Sequence, residues 1–362
     1  MRLRHPPRRR PTPPVHGPKA SGDTGVRRPS PARPRHTRGG LPVTDAEQSV
    51  TRWEPPGLFV HPALFYRTSE EYLRGVGGFV DTALAAGDPV LIAVPGPRLD
   101  LLRDHLGPLD ADRLSLADMT EFGRNPGRIL AGLRDFADRS PDRPARIVGE
   151  PLWARRSPAE VVEATRHEAL INAAFAGRDA TILCPYDVSE LPPAVCADAR
   201  RTHPVLWEDD RRWSSPHYAG AAVNAECDAL PLVPPPPDAH ALTFVDGDLG
   251  EVRHRADTWA HEAGLDTARR GDFVLAVAEA AANSLAHGGG RGTLTLWDEG
   301  ASCLAEIRDR GRLADPLAGR RRPTLDSAVG GRGLWMMHQL CDLVETRAAP
   351  EGLTVRLHMN HG

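Results

Sequence analysis

The sequence predicts a chain in two parts: an α/β domain built on a mainly parallel sheet, then an α+β sandwich with helices on one face of a mixed sheet. Three observations carry that expectation. Between residues 57 and 210, short apolar runs alternate with helical stretches, the rhythm of strands joined by crossover helices. The segment 211–239 lacks periodicity and contains the proline run 234–237, which favours extended, semi-rigid backbone. Beyond it, over 240–362, the order changes to strand, two helices, hairpin, helix and hairpin.

In chain order, 90–94 is a β-branched run ended by Pro95, Gly96 and Pro97, and 98–105 reads as a helix. Residues 146–148 and 180–184 are two more candidates for buried strands, separated by a helix over 158–175. The linker 211–239 follows. Residues 241–245 then read as a strand, 249–263 as a helix stopped at Gly264, and 272–287 as a second helix. Strands at 293–297 and 303–307 flank Asp298, Glu299 and Gly300, a hairpin signal. Glycines at 330–333 open a helix through Cys341, and 343–346 and 353–359 flank a turn at Pro350, Glu351 and Gly352. Leu353, Val355, Leu357 and Met359 alternate as a half-buried strand requires.

A chain of 362 residues, 40% hydrophobic and 26% charged, can bury two ordinary cores. Residues 1–42 hold ten arginines and Lys19 against Asp23, a local +10 that leaves −13 for the remainder of a chain with net charge −3. Proline and arginine without apolar periodicity build no core, so 1–50 is expected as a disordered basic tail. Lys19 is the only lysine, a bias typical of a GC-rich bacterial genome. The five cysteines form no CxxC pair and read as reduced thiols. No apolar run approaches the ~20 residues of a membrane span, and the basic N-terminus has no apolar signal core. The expectation is a soluble, cytoplasmic protein with no membrane contact and no direct nucleic-acid partner.

Chemistry concentrates in the last third. On the helix 272–287, Val274, Val277, Ala278, Ala281 and Leu285 share one face. Glu279, Asn283 and His287 follow at successive i+4 steps on the other. A carboxylate and a carboxamide oxygen one turn apart suit Mg²⁺, which takes few protein ligands plus phosphates, and Glu279 could then polarise a hydroxyl. Alone, such a pair is an ordinary solvated face. The next strand ends in Asp309, Arg310 and Gly311; an Asp there can accept an exocyclic amine while Gly admits a flat base. Glycines 330, 331 and 333 then open a helix whose amides can point at an anion. Leu334, Met337, Cys341 and Val344 anchor that helix as an apolar stripe.

In this order the three motifs resemble the GHKL (Bergerat) ATP-binding fold, and more narrowly its anti-sigma serine-kinase, RsbW-like branch. Glu279-Ala-Ala-Ala-Asn283 is similar to the N-box, Asp309-Arg-Gly311 to the first glycine box, and Gly331-Arg-Gly333-Leu334 to the second. The resemblance covers roughly 241–361. It implies Glu279 as general base, Asn283 as Mg²⁺ ligand, Asp309 with Gly311 as adenine reader, and Gly331, Gly333 and Leu334 along the phosphates. It implies ATP and Mg²⁺ as cofactors and an ATP-dependent serine/threonine-protein kinase. Its partners would be a sigma factor, a STAS-type anti-sigma antagonist, or a second copy in a homodimer. Leu313 stands where many relatives carry a further glycine, a departure expected to weaken nucleotide affinity. Residues 314–329 would form the ATP lid. Its Arg320, Arg321 and Arg322 are expected as a solvated run, with a γ-phosphate or a protein partner as the alternative.

Three N-terminal motifs, His61-Pro-Ala-Leu-Phe-Tyr66, Gly149-Glu-Pro-Leu-Trp153 and Cys184-Pro-Tyr-Asp187, resemble the MEDS (DcmR-like) sensory domain, which actinobacteria join to such ATPases. The turn Pro95-Gly-Pro-Arg98 lacks the Gly-Lys-Ser/Thr that cradles phosphates, so a sensor of an unknown small ligand, without ATP turnover, is expected over 57–210. His61, Glu150, Trp153, His167, Tyr186 and Asp187 are candidates for its pocket. Two rival readings stand beside the kinase. A sensor histidine kinase needs a phospho-accepting His on a helical hairpin, whereas His254 and His261 lie on the first helix of the module itself. A binding protein with a vestigial nucleotide site is the other.

Overall fold

The computed structural model describes residues 58–107, 113–323 and 331–361. The expected basic tail 1–50, residues 324–329 of the expected lid, and Gly330 lie outside the described residues. No described helix is long and apolar enough to cross a membrane.

The first sheet contains β1 (Phe59–Val60), β2 (Pro62–Tyr66), β3 (Val90–Val94), β4 (Leu114–Asp118), β5 (Ala145–Gly149), β6 (Ala180–Asp187), β7 (Val205–Glu208) and β8 (Arg211–Ser214). Its order is β4-β3-β5-β6-β2-β7-β8, with β1 beside β6. Every pairing is parallel except β7 with β8, as expected of the N-terminal part. Parallel strands need crossovers, and helices supply them on both faces. The helices are α1 (Ser69–Tyr72), which runs through a π-turn into α2 (Gly78–Ala85), then α3 (Gly96–Leu106), α4 (Met119–Phe122), α5 (Pro126–Asp138), α6 (Pro158–Ala174), α7 (Pro193–Thr202) and α8 (Gly220–Ala229). One core joins Val76, Val80, Leu99 and Leu102 to Ile92 and Val94. The other joins Ile129, Leu133, Phe136, Ala164 and Ile171 to Ala93, Ile147 and Ile182. Covered on both faces, β2 and β3 are buried throughout.

Local signals start these helices where they should. Ser157 and Glu160 form a reciprocal capping box at α6, with Pro158 in its first turn. Asn125 caps α5 by accepting from the Gly127 N–H at 2.9 Å. Its amide also donates to the carbonyls of His338 and Cys341, both at 3.2 Å, so one side chain serves two helix ends.

The second sheet is formed by β9 (His240–Val245), β10 (Arg291–Asp298), β11 (Ser302–Asp309), β12 (Leu343–Ala349) and β13 (Gly352–Asn360), in the order β12-β13-β11-β10-β9. Helices α9 (Leu249–Glu262), α10 (Thr267–His287) and α11 (Arg332–Leu340) cover one face. The expected mixed sheet is corrected: every pairing in it is antiparallel. The turns after β10 and β12 are too short for anything but a hairpin.

The linker expectation also changes at its start. Residues 211–214 are β8 and Gly220–Ala229 is α8. Val223 and Cys227, four apart, pack on Ala169 of α6, which stabilises a helix too short to stand alone. Residues 230–239 carry no helix or strand, yet guanidiniums hold them: Arg347 donates to the Leu230 carbonyl at 2.9 Å and Arg356 to the Val233 carbonyl at 2.6 Å.

Candidate functional site

Helix α10 brings the site together. Its buried residues are Phe273, Ala276, Val277, Ala278, Ala280, Ala281 and Ser284. Of the expected apolar face, Val274 and Leu285 are only partly buried. Glu279 and Asn283 are half-buried rather than solvated, because α11 packs across them. A Cβ on Gly333 would lie 2.9 Å from Glu279 Oε2 and 3.0 Å from Asn283 Nδ2. Only a residue without a side chain lets the start of α11 meet both polar groups. Gly331, the residue before α11, has φ +109°, a left-handed conformation that L side chains rarely adopt.

Asp309, at the end of β11, is held from two sides. The Ser284 hydroxyl donates to its Oδ2 at 2.5 Å, and the Gly311 N–H to its Oδ1 at 2.6 Å. A Cβ on Gly288 would stand 2.4 Å from the Asp309 Cγ, and one on Gly311 2.7 Å from its Oδ1. Asn283, His287, Gly288, Asp309, Gly311, Gly331, Gly333 and Leu334 all line one cavity of about 370 Å³, within the ~300–1,000 Å³ of small-molecule sites. Leu313, Ala318, Met337, Leu353 and Val355 form its apolar lining. Leu313 also packs against the core of the second sheet. Glu279 stands behind Gly333. The donor set fits a magnesium nucleotide: carboxylate, carboxamide and open backbone surround an apolar slot. Ser284 and Gly288 were missed in the sequence because their contacts with Asp309 cross more than twenty residues of chain; a Ser next to Asn283 was the only hint.

In the described part of the expected lid, the solvated-run expectation is corrected for Arg320 alone; Arg321 and Arg322 are exposed. Arg320 is 3% exposed and donates to Glu163 Oε2 of α6 at 2.8 Å. Leu317 is 4% exposed and joins the core of the first sheet. Arg321 lies 3.6 Å from Asp315, and Arg322 lies 3.2 Å from Asp135 of α5. The fully buried Glu163 also accepts from Arg166 at 3.1 Å and from Arg347 at 2.8 Å. Arg166 continues to Asp228 at 2.6 Å and to the carbonyl of Thr346 at 3.0 Å. Thr346 itself lines the cavity. Burial lowers the pKa of Arg320, and the Glu163 carboxylate opposes that shift. Glu163 was missed too. The signal was there, since α6 is charged and apolar all round, without a polar face.

A second cavity, of about 470 Å³, opens where β2, β3, β5 and β6 end, the usual ligand position in parallel sheets. Of the six N-terminal candidates, Glu150, Trp153 and Asp187 line it. His61, His167 and Tyr186 lie inside the fold, at most 1% exposed. Arg98 donates to Asp187 at 2.7 Å, and the Tyr66 hydroxyl donates to Glu150 Oε1 at 3.2 Å. Burial pushes the Glu150 carboxyl up to about 8, against the pull of Arg98.

Comparison with known proteins divides the chain in the same way. Residues 60–204 match the family model described as MEDS, the methanogen/methylotroph, DcmR sensory domain. Residues 245–359 match that of the histidine kinase-like ATPase domain. Among solved structures, the RsbU and RsbW domains of Rv1364c from Mycobacterium tuberculosis match at 20% identity and TM-score 0.26. That match covers 35% of this chain and 33% of the other, about a third of its length. No curated protein matches.

Proposed function

We propose that this chain, in which a MEDS sensory domain precedes a histidine kinase-like ATPase domain, is a nucleotide-dependent regulator of the anti-sigma, serine-kinase type. The observation that carries the reading is the seat of Gly333 against Glu279 and Asn283, on the cavity that also holds Asp309. Bound Mg-ATP would supply the phosphoryl group. Asn283 offers its carboxamide oxygen to Mg²⁺. One Asp309 oxygen would accept a hydrogen bond from the exocyclic amine of adenine, beside the apolar wall of Leu313, Met337 and Val355. The backbone around Gly331, Gly333 and Leu334 faces the phosphates. Glu279 would accept the proton of an incoming serine hydroxyl as that oxygen bonds to the γ-phosphorus and the bond to the departing ADP breaks, and positioning with charge neutralisation would supply most of the rate.

The partners of this reading are a STAS-type antagonist bearing the serine, or a sigma factor held without chemistry, in the cytoplasm of a bacterium. Sensing reaches the nucleotide site through α6: Glu163 grips Arg320 at the start of the lid and Arg347 on β12. The test is thermal unfolding of the full chain with ATP, with and without Mg²⁺, followed by transfer of labelled phosphate to a STAS antagonist. ATP at a hundred times its Kd should stabilise by about 2.7 kcal/mol, with Mg²⁺ strengthening the effect. Transfer to a serine supports the kinase. ATP-dependent capture of a sigma factor without transfer supports sequestration. No shift with millimolar Mg-ATP overturns both, and acid-labile autophosphate would favour a histidine kinase.

A further inference from the structure

Four side chains the nucleotide reading does not use converge inside the first domain. His61 directly precedes β2, Cys184 lies on β6 opposite Ala63 of β2, and His203 follows α7 just before β7. The topology therefore brings all three together at the adjacent strands β6, β2 and β7, and Glu168 of α6 comes down on them. All four are at most 1% exposed, and one ligand atom from each lies within 4.8 Å of every other. His61 Nε2 is 3.1 Å from Glu168 Oε2 and 3.4 Å from Cys184 Sγ, and His203 Nε2 is 3.2 Å from the same Glu168 oxygen.

Hydrogen bonding alone leaves this cluster unresolved. His203 Nδ1 lies 2.9 Å from the Ala199 carbonyl, which can only accept, so the ring proton sits on Nδ1. The Thr202 hydroxyl beside it donates to the Asp198 carbonyl at 3.1 Å. His203 Nε2 then lies 3.2 Å from a carboxylate oxygen without a hydrogen bond to it, and Glu168 Oε1 has no partner either. Two acceptors so close repel unless a cation stands between them.

We propose that His61, Glu168, Cys184 and His203 form a four-coordinate, closed site for a divalent transition metal, with zinc favoured by the donor set. Tetrahedral zinc, with bonds of ~2.0–2.3 Å, places its nitrogen and oxygen ligands ~3.3 Å apart and nitrogen and sulfur ~3.5 Å apart. Three of the six separations, 3.1, 3.2 and 3.4 Å, follow those edges within about 0.2 Å, and the other three are at most 4.8 Å. Charge agrees as well: a carboxylate and a thiolate neutralise a dication, which a buried position requires. The bond from His203 Nδ1 to a backbone carbonyl orients a neutral imidazole as a metal ligand needs. Metal binding to the thiolate expels the Cys184 thiol proton to solvent.

The test uses the full chain, stripped with a chelator and reloaded with zinc chloride or cobalt(II) chloride, then desalted. One zinc per chain should remain, and the cobalt form should show thiolate-to-cobalt charge transfer with tetrahedral ligand-field absorption. Cys184→Ser should remove the charge-transfer band, and His203→Gln should drop retained zinc to background. Cys303→Ser, which disrupts the partly exposed group of Asp298, Cys303 and His361, should change neither. A wild-type chain that keeps no metal overturns the proposal. So does zinc retained by His203→Gln and lost by Cys303→Ser. If the variants do not fold, the wild-type cobalt spectrum decides.

Discussion

Replacing Glu163 by Gln keeps the shape of the side chain and removes the one charge that three guanidiniums share. Arg166 would still have Asp228 at 2.6 Å, and Arg347 would still have Glu345 at 3.2 Å. Arg320 would be left alone: among the described residues it has no other carboxylate within ion-pair distance, and its Nη1 already lacks a partner. Holding an unpaired cation at 3% exposure costs about 3–5 kcal/mol. Arg320 escapes that cost by moving into water, which gives up the packing of Leu317, about 1.5–3 kcal/mol. Release is the cheaper route. The start of the lid should therefore open far more often, by roughly a hundredfold for ~3 kcal/mol, while the core loses less. Hydrogen exchange over 312–323 measures this directly, with 291–309 in β10 and β11 as the internal standard. Protection should fall about a hundredfold in the first segment and much less in the second. Arg320→Met in the same background should restore part of it, giving a coupling of about 1–3 kcal/mol. Unchanged exchange over 312–323, or strictly additive single effects, would refute the latch.

Other outcomes follow from the same contacts. Glu150 binds its proton up to about pH 8 in the fold but only to about 4.5 unfolded. Its raised pKa therefore contributes stability that is fully present below pH 4.5 and lost as pH rises to 8, by at most ~5 kcal/mol. Denaturant titrations of Glu150→Gln should show that slope flattened. Gly288→Ala, at an ordinary φ of −99°, should weaken ATP binding at least tenfold through its clash with Asp309 alone, read by calorimetry. Gly333→Ala should do the same by pushing Glu279 and Asn283 aside. Asn283→Ala should abolish the Mg²⁺-dependent part of the ATP-induced thermal shift while leaving metal-free binding nearly intact.

What could be read from the chain was what repeats at short range. The stripe Glu279–Asn283 shows at i+4, the hairpin of β10 and β11 shows at Asp298, Glu299 and Gly300, and the apolar runs of β3, β5 and β6 mark a parallel sheet. Strands β4 and β7 carry polar residues that interrupt or end their apolar runs, so they do not stand out as buried strands. The antiparallel character of the second sheet follows from hairpins that were seen, but the sign of the pairing was not drawn from them. Arg320 looked like part of a solvated run because its neighbours are exposed; its partner lies 157 positions away. Helix α8 stayed hidden for the same reason, since Val223 and Cys227 make a stripe only once Ala169 is beside them.

Leu317 has a practical corollary. It follows the first glycine box in sequence, yet it fills the hydrophobic interior on the far side of the seam. Cutting the gene near the proline run and expressing only the last third would leave that leucine in water and deprive Arg320 and Arg347 of their shared anion. Such a fragment would carry a loosened lid and a sticky patch by construction, and its behaviour with nucleotide would misreport the intact chain.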